Sequence, residues 1–291
     1  MSSAPSQPLR PASLIVLIIL LLAPGCTDVP DQPAVAGNRA TPQLNHCPAT
    51  TFQQLNQAPP APMAQLDPAS FQIVTWNIYK GLKKNWQADL QRYADQSDIL
   101  ILQEGYLSPA MHQFLEENLY YWHMANAFRF RNTICGVITA SKVSPLAQCA
   151  MRQQEPLLRL PKTTMVTSYA LAGHGESLLV INLHMVNFTL GQRAFRSQLA
   201  AVGSLMVDHE GPVILAGDLN TWNSKRLAII HQFSQRHDLQ EVEFARDQRS
   251  TRFGQILDHV WYRGLVPSGA HIEDVSSSDH NPCLVTFRVA Q

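Results

Sequence analysis

Five apolar runs in this chain each end in a short polar cluster: Thr75-Trp76-Asn77, Gln103-Glu104, Asn182-Leu183-His184, Gly217-Asp218-Leu219-Asn220 and Ser278-Asp279-His280. An apolar run bounded by polar or turn residues reads as a buried strand, and its last polar side chain is delivered to one rim of the sheet. Five such ends can therefore meet in space although they are scattered along the chain. What they would bring together is an inventory for hydrolysing a phosphoester. A carboxylate such as Glu104 holds a hard, oxygen-preferring cation; Asp218 orients and deprotonates a water; Asn77 and Asn220 donate to phosphoryl oxygens; His184 and His280 stabilise or protonate the leaving side.

The order and wording of these five clusters resemble the endonuclease/exonuclease/phosphatase superfamily, over the stretch from Phe71 to Phe287. The resemblance implies a magnesium-dependent hydrolase, with manganese as the alternative ion, acting on a phosphoester by in-line attack of water. It also implies roles at the matching positions. Asn77 and Glu104 are similar to the metal and phosphate ligands, Asp279 to an acid near the metal, Asp218 to the water-positioning base and Asn220 to the phosphate donor. His280 is similar to the catalytic histidine, with Asp258 of Ile256-Leu257-Asp258-His259-Val260 as the carboxylate that orients it. His184 matches a second histidine, whose acidic partner in the nuclease branch has three candidates here, Glu116, Glu117 and Glu155. Leu219 stands where many relatives have Phe, a change of packing only. Asn187, Trp222 and Lys80, close to the motifs, are weaker candidates for substrate contact, and His259 is read as structural.

Apolar and polar periodicity places these motifs on elements. Strands are predicted at 71–76 and 98–103 with a helix from Asn85 through Tyr93 between them, then a helix from Ser108-Pro109 through about Leu119, with Pro in the first turn where its missing donor is harmless. Strands at about 121–128, 134–140, 145–150, 164–171 and 178–184 follow without a helix. Helices at about 191–208 and 224–235 bracket the strand 212–216, and strands near 257–262 and 283–289 close the chain. Runs of strands interleaved with helices fit an α/β fold in four layers, two packed mixed β-sheets flanked by helices.

What precedes Phe71 reads differently. Residues 1–26 carry Arg10, the uncharged apolar run from Ser13 to Ala23, and Ala23-Pro24-Gly25-Cys26. The run is short of the ~20 residues a membrane span requires, so the segment is a signal peptide. Small residue, Cys and spacer resemble a bacterial lipoprotein signal, which would acylate Cys26 and anchor the chain to a membrane; an ordinary cleaved signal or an uncleaved anchor are the other readings. Each places the catalytic domain, 71–291, outside the cytosol, as a periplasmic-side lipoprotein or a secreted protein. Residues 27–70 hold eight of the nineteen prolines and one basic residue, Arg39, the composition of a disordered tether.

Charge narrows the substrate. Without residues 1–25 the chain keeps 21 basic residues (22 less Arg10) against 22 acidic ones, whereas proteins that act on long nucleic acids rely on a basic face. A lipid or small-molecule phosphoester is therefore preferred over an extracytoplasmic nuclease substrate, with Lys80, Lys83 and Lys84, or Arg129 and Arg131, as either ordinary surface charge or a head-group pocket. A catalytically silent binding or scaffold protein on the same fold is the reading from another class. Of Cys47, Cys135, Cys149 and Cys283, the pair Cys135 and Cys149 flanks an apparent hairpin and is either a cross-strand bridge or two buried thiols.

Overall fold

The structure, a computed structural model, describes residues 27–38, 43–44, 47, 64–118 and 120–290. Residues 1–26, for which the sequence predicts a signal peptide with Cys26 as its acylation site, lie outside them. In chain order the strands begin with β1 (Thr27–Asp28), β2 (Ala34–Gly37), β3 (Gln43–Leu44), β4 (Phe71–Asn77) and β5 (Ile99–Tyr106). Then come β6 (Tyr121–Phe130), β7 (Thr133–Ser141), β8 (Ala147–Gln154), β9 (Pro161–Tyr169), β10 (Leu178–His184) and β11 (Val213–Asp218). The chain closes with β12 (Gln240–Glu241), β13 (Thr251–Arg252), β14 (Gln255–Ile256), β15 (Asp258–Arg263), β16 (Leu265–Ile272) and β17 (Cys283–Val289). Four α-helices among the described residues are α1 (Trp86–Gln96), α2 (Pro109–Glu117), α3 (Arg193–Met206) and α4 (Ser224–Arg236).

Both main sheets are mixed. One runs β1-β6-β7-β5-β4-β17-β16, with β2 also on β6; the other runs β12-β15-β11-β10-β9-β8-β3. Parallel pairs β4–β5 and β10–β11 lie inside otherwise antiparallel neighbours. Their strands are apolar on both faces because both faces are covered. Alternate residues then sort into layers. Ile73, Ile101, Val285, Val180, Ile214 and Val260 meet between the sheets. Val74, Leu100 and Leu102 turn outward onto Leu90, Tyr93 and Phe114 of α1 and α2. Ile181, Leu183 and Leu215 turn outward onto Phe195, Leu199 and Ile230 of α3 and α4. Helix, sheet, sheet, helix is the four-layered α/β sandwich expected from the sequence.

Local chemistry sets the element ends. Ser108 caps α2, its hydroxyl accepting from the Met111 N–H at 3.2 Å, with Pro109 in the first turn. Asn85 precedes α1 in the left-handed region and makes no side-chain cap. Strand β16 has no counterpart in the sequence reading: Pro267, Ser268 and Gly269 break its alternation, a composition tolerated on this edge strand beside a register shift.

Two expectations need correction. Residues 27–70 are not a free tether throughout. Ala34–Gly37 pairs with Asn126–His123 of β6, Thr27–Asp28 with the far end of the same strand, and Gln43–Leu44 with β8. Strands β6 and β8 would otherwise be sheet edges, with unpaired backbone groups that recruit an extra strand. Pro30 and Pro33 fall outside the paired residues, and Arg152 donates to the carbonyls of Pro30 and Asp31. The second correction concerns the cysteines. Cys149 is bridged to Cys47, 102 residues earlier, while Cys135 and Cys283 are buried free thiols. Strands β7 and β8 are no hairpin, because the chain changes sheets between them, and Cys135 and Cys149 therefore lie in different sheets.

A bridge closing so long a loop removes much of the unfolded chain's freedom, so Cys47→Ser should lower unfolding free energy by about 2–4 kcal/mol. Chemical denaturation of the parent and the variant measures this, and an unchanged midpoint would mean the bridge adds nothing to the stability of the fold.

Candidate active site

Strand register collects the polar ends. His184 lies opposite Asp218 in the parallel β10–β11 pair, and Asp218 lies opposite Asp258 in the antiparallel β11–β15 pair. This makes one rung of three ionisable residues at the rim. The rung depends on Gly217: a Cβ there would stand 2.1 Å from the Leu183 carbonyl oxygen, and its φ of 143° suits glycine alone. In the other sheet Asn77 lies opposite Gln103, and Ser278-Asp279-His280 leads into β17 beside them. Trp76 donates its indole N–H to the His280 carbonyl at 2.8 Å, and the Ser278 hydroxyl donates to the Asn77 carbonyl at 2.6 Å. Those two bonds fix the histidine loop to the end of β4.

Glu104 reaches the rim by a different device. The β5–β7 pairing shifts register between Leu102 and Gly105, and Glu104 has a φ of 51°. Such a bulge re-aims a side chain at the cost of a strained backbone, and strain of this kind gathers at functional sites. Asn220, Tyr79 and Lys80, with φ of 50°, 52° and 58°, share that conformation around the same opening.

The result is a pocket of about 490 Å³ lined by Asn77, Lys80, Glu104, His184, Asn187, Asp218, Asn220, Trp222, Asp279 and His280. Asp258 sits directly behind it, its carboxylate 2.8 Å from His280 Nδ1. Every site candidate from the sequence among the described residues is thus at one place. Asp218 is held at both oxygens: Oδ1 accepts from the Asn220 backbone N–H at 3.0 Å and Oδ2 from the Asn77 amide at 3.0 Å. Burial dominates its pKa and, with repulsion from Asp258 and against attraction to His280, raises it to about 6. For His280 burial works the other way, but Asp258 overrides it and, with Asp218 and Asp279, raises the imidazole to about 10. His280 therefore carries its proton at neutral pH, and its Nε2 is left for the pocket.

Residues absent from the sequence reading complete the electrostatics. Lys162, at the start of β9, places Nζ 2.9 Å from His184 Nε2 and 4.0 Å from Glu104. An ammonium only donates, so His184 Nε2 accepts and the ring is neutral. Burial first, and Lys162 next, push His184 well below its ordinary range. His184 is thus not paired with Glu116, Glu117 or Glu155, and its nearest carboxylate is Asp218 at 3.4 Å. Glu155 instead points inward, accepting from the Asn187 N–H at 2.5 Å. Burial would raise Glu104, but Lys80 and Lys162 hold its carboxyl well below the usual range.

Arg226 was the largest omission. It is fully buried, donating to the carbonyls of Val186, Asn187 and Asn220 and to the Thr189 hydroxyl, all at 2.8–2.9 Å. This arms the loop that carries Asn187, whose side chain accepts from Trp222 Nε1 at 2.9 Å. A signal existed: an arginine in the first turn of a helix opposes the helix dipole, so it requires another reason to be there. The basic cluster after the first motif divides, with Lys80 facing Glu104 and Lys83 donating to the Ser278 carbonyl at 2.5 Å.

Among the described residues no three His, Cys, Asp or Glu side chains enclose an ion by themselves. The pocket nevertheless suits a magnesium-type ion, which keeps several waters and is held by one or two carboxylates together with substrate phosphate. Glu104, Asp279 and Asn77 offer oxygen donors. Asp279 is raised by burial and by repulsion from Glu104, so added positive charge is favoured there. The Lys80 ammonium on Glu104 stands in for such a cation.

The model of the Endonuclease/Exonuclease/phosphatase family matches residues 74–280. A UPF0294 protein of Vibrio parahaemolyticus is 39% identical over 223 residues, 76% of this chain and 79% of its own length. Among solved structures, an endonuclease/exonuclease/phosphatase from Beutenbergia cavernae matches with a TM-score of 0.60 at 15% identity, over 76% of this chain and 72% of that one. The human Nocturnin catalytic domain, solved with a bound sulfate anion, matches with a TM-score of 0.58 at 16% identity, over 79% and 97%. At these identities the structural likeness is one of fold.

Behind the rim, Thr221 Oγ1 meets His259 Nε2 at 2.7 Å, His259 Nδ1 meets Glu241 at 2.7 Å, and Arg249 donates to Glu241 at 2.6 Å and to the Asp258 carbonyl at 3.3 Å. His259 is buried between Thr221 and Glu241 and does not line the pocket. Burial disfavours the Glu241 carboxylate, but His259 and Arg249 outweigh it and lower the acid below its ordinary range. A group depressed on folding contributes stability above its unfolded value and loses it as pH falls. Glu241→Gln should therefore cost about 1–3 kcal/mol near neutral pH and progressively less below the ordinary carboxylate range. Denaturation curves across pH test this, and a pH-independent difference would contradict it.

Proposed function

The chain belongs to the Endonuclease/Exonuclease/phosphatase family, and from that premise we propose a divalent-metal-dependent hydrolase of a lipid or small-molecule phosphodiester or phosphomonoester, working outside the cytosol. Phosphoester hydrolysis and a general use of divalent metals are properties of the family. The observation that carries the reading is Asp218: buried, held at both oxygens, and facing the same pocket as Glu104 and the Asp258-bound His280.

Glu104, Asp279 and Asn77 would hold the ion, with magnesium favoured by the all-oxygen donors; when bound it polarises the phosphoryl group. The protein's own groups do the rest. Asp218 aligns the attacking water and accepts its proton, and the Asn77 and Asn220 bonds keep that carboxylate from rotating away. Lys162 and Lys80 present positive charge to the phosphoryl oxygens. His184, neutral, accepts from Lys162 and positions that ammonium rather than acting as an acid. His280, protonated and fixed by Asp258, donates toward the leaving oxygen. A fold-mate, human Nocturnin, holds a sulfate anion, a tetrahedral oxyanion of phosphate's shape, which is compatible with this reading.

Export and anchoring rest on the leader and Cys26, and the Cys47–Cys149 bridge supports an oxidising compartment. Cys26→Ser should move the protein from the membrane to the soluble fraction or leave it unprocessed. A correctly trimmed variant that stays detergent-dependent would contradict acylation.

The decisive experiment is a panel of a phospholipid, sphingomyelin, inositol phosphates, plasmid DNA, RNA and a chromogenic diester, with magnesium and with chelator. Turnover of a lipid or small phosphoester that chelator abolishes is expected; turnover of nucleic acid alone would make the protein a nuclease. On the best substrate, Asp218→Asn and His280→Ala should each lower the rate by about a hundredfold to ten-thousandfold. Their combination should be little worse than either, since both act in one transition state. Parental turnover by folded Asp218→Asn would refute the mechanism.

A further inference from the structure

Three loops around the pocket mouth hold large apolar side chains out in water. Among the described residues, Leu157 is 53%, Leu190 81% and Phe253 77% exposed. Leu157, between β8 and β9, and Phe253, in the β13–β14 turn, line the mouth; Leu190 follows Thr189, which also lines it. A single exposed leucine on a protein surface calls for no explanation, but apolar tips on three separate loops around one opening do.

These tips are built. Phe253 and Gly254 take φ of 51° and 75° in a tight turn, and the Phe253 ring meets Trp222 edge-on at 6.2 Å. Thr189, beside Leu190, is bonded by Arg226 at 2.9 Å and donates to the Gly191 carbonyl at 3.0 Å. The Leu157 loop begins at buried Glu155, which is bound to the Asn187 and Phe188 N–H groups of the neighbouring loop. Charge is distributed with the same sense. Arg159 and Arg252 belong to two of the tips, exposed Arg193 follows the third, and the loops' one acid, Glu155, is turned inward. The Arg252 guanidinium lies 5.2 Å from the Phe253 ring centroid.

We infer that these tips dock the pocket mouth onto the surface of an anionic phospholipid bilayer. Apolar tips enter the boundary between head groups and acyl chains, while adjoining arginines stay at head-group depth and meet lipid phosphates. The mouth then opens at the level where membrane phosphoesters lie. This deepens the hydrolase reading by naming where its substrate is met, and docking can be measured without turnover.

The test uses the full chain carrying Asp218→Asn, so that no lipid is consumed, with either Phe253→Trp or Val207→Trp. Val207 is another exposed apolar residue, on the far end of α3 rather than at the mouth. Each variant is mixed with vesicles of brominated phosphatidylcholine, with and without phosphatidylglycerol, and indole quenching beyond the Asp218→Asn background is read. Quenching at 253 at least about twofold above that at 207, increased by phosphatidylglycerol, is expected. Adding Leu157→Ser and Leu190→Ser should lower the inserted fraction about tenfold, the order of effect for losing buried apolar side chains. Equal quenching at 253 and 207 would overturn the inference. So would concentration-dependent dimers in sedimentation without lipid that the serine substitutions abolish, since a second copy would then cover the tips.

Discussion

Buried polar side chains tie the two sheets together at the candidate active site, the Asn77–Asp218 bond at its rim and the Asn182 amide just beneath it. Asn182 of β10 directs its Nδ2 across the sheet interface to the carbonyls of Leu102 at 3.2 Å and Ile138 at 2.9 Å, and its Oδ1 accepts from Gln103 Nε2 at 2.9 Å. Those carbonyls border the bulge that turns Glu104, where the β5–β7 ladder is interrupted and its polar groups look for other partners. Apolar faces alone pack without direction. A buried amide that must be satisfied has few acceptable positions, so it sets how the sheet carrying Glu104 and Asn77 meets the sheet carrying His184 and Asp218.

On that frame the site solves a charge problem. Four carboxylates, Glu104, Asp218, Asp258 and Asp279, share a small, largely buried region, and ionising them together without partners would be prohibitive. The fold distributes cations among them. Lys80 and Lys162 serve Glu104, and His280 serves Asp258 with Asp218 close by. This division keeps Glu104 ionised and His280 protonated, and Asp218, its pKa raised to about 6, comes close to the range where a base exchanges a proton. A site that receives or releases a proton and a phosphoryl charge benefits from such separation of roles.

Much of this was legible from residue order. Polar ends of apolar runs locate Asn77, Glu104, His184, Asp218 and His280, because strand ends and rims coincide and the linear pattern reports both. Partners that arrive from elsewhere were not legible. Lys162 opens a strand after a leucine-rich loop with no motif of its own, Glu155, a candidate partner of His184, instead accepts from the Asn187 and Phe188 N–H groups, and Arg226 becomes a loop brace only because α4 packs beneath residues 186–189. Residues 27–70 read as a tether from proline content, but sheet edges many residues away supply the hydrogen bonds that order the strands at 27–28, 34–37 and 43–44.

The amino-acid sequence by itself determined the apolar central strands, their two-sided burial, the layered class and the chemical inventory, since these follow from hydrophobic periodicity and side-chain type. The tertiary structure alone decided who faces whom. Register placed His184, Asp218 and Asp258 on one rung; the bulge turned Glu104 inward; the sheet change between β7 and β8 gave Cys149 to Cys47 rather than to Cys135. It also decided that three apolar tips ring one opening. Such pairings depend on distances between residues far apart in the chain, and local pattern carries no information about those distances.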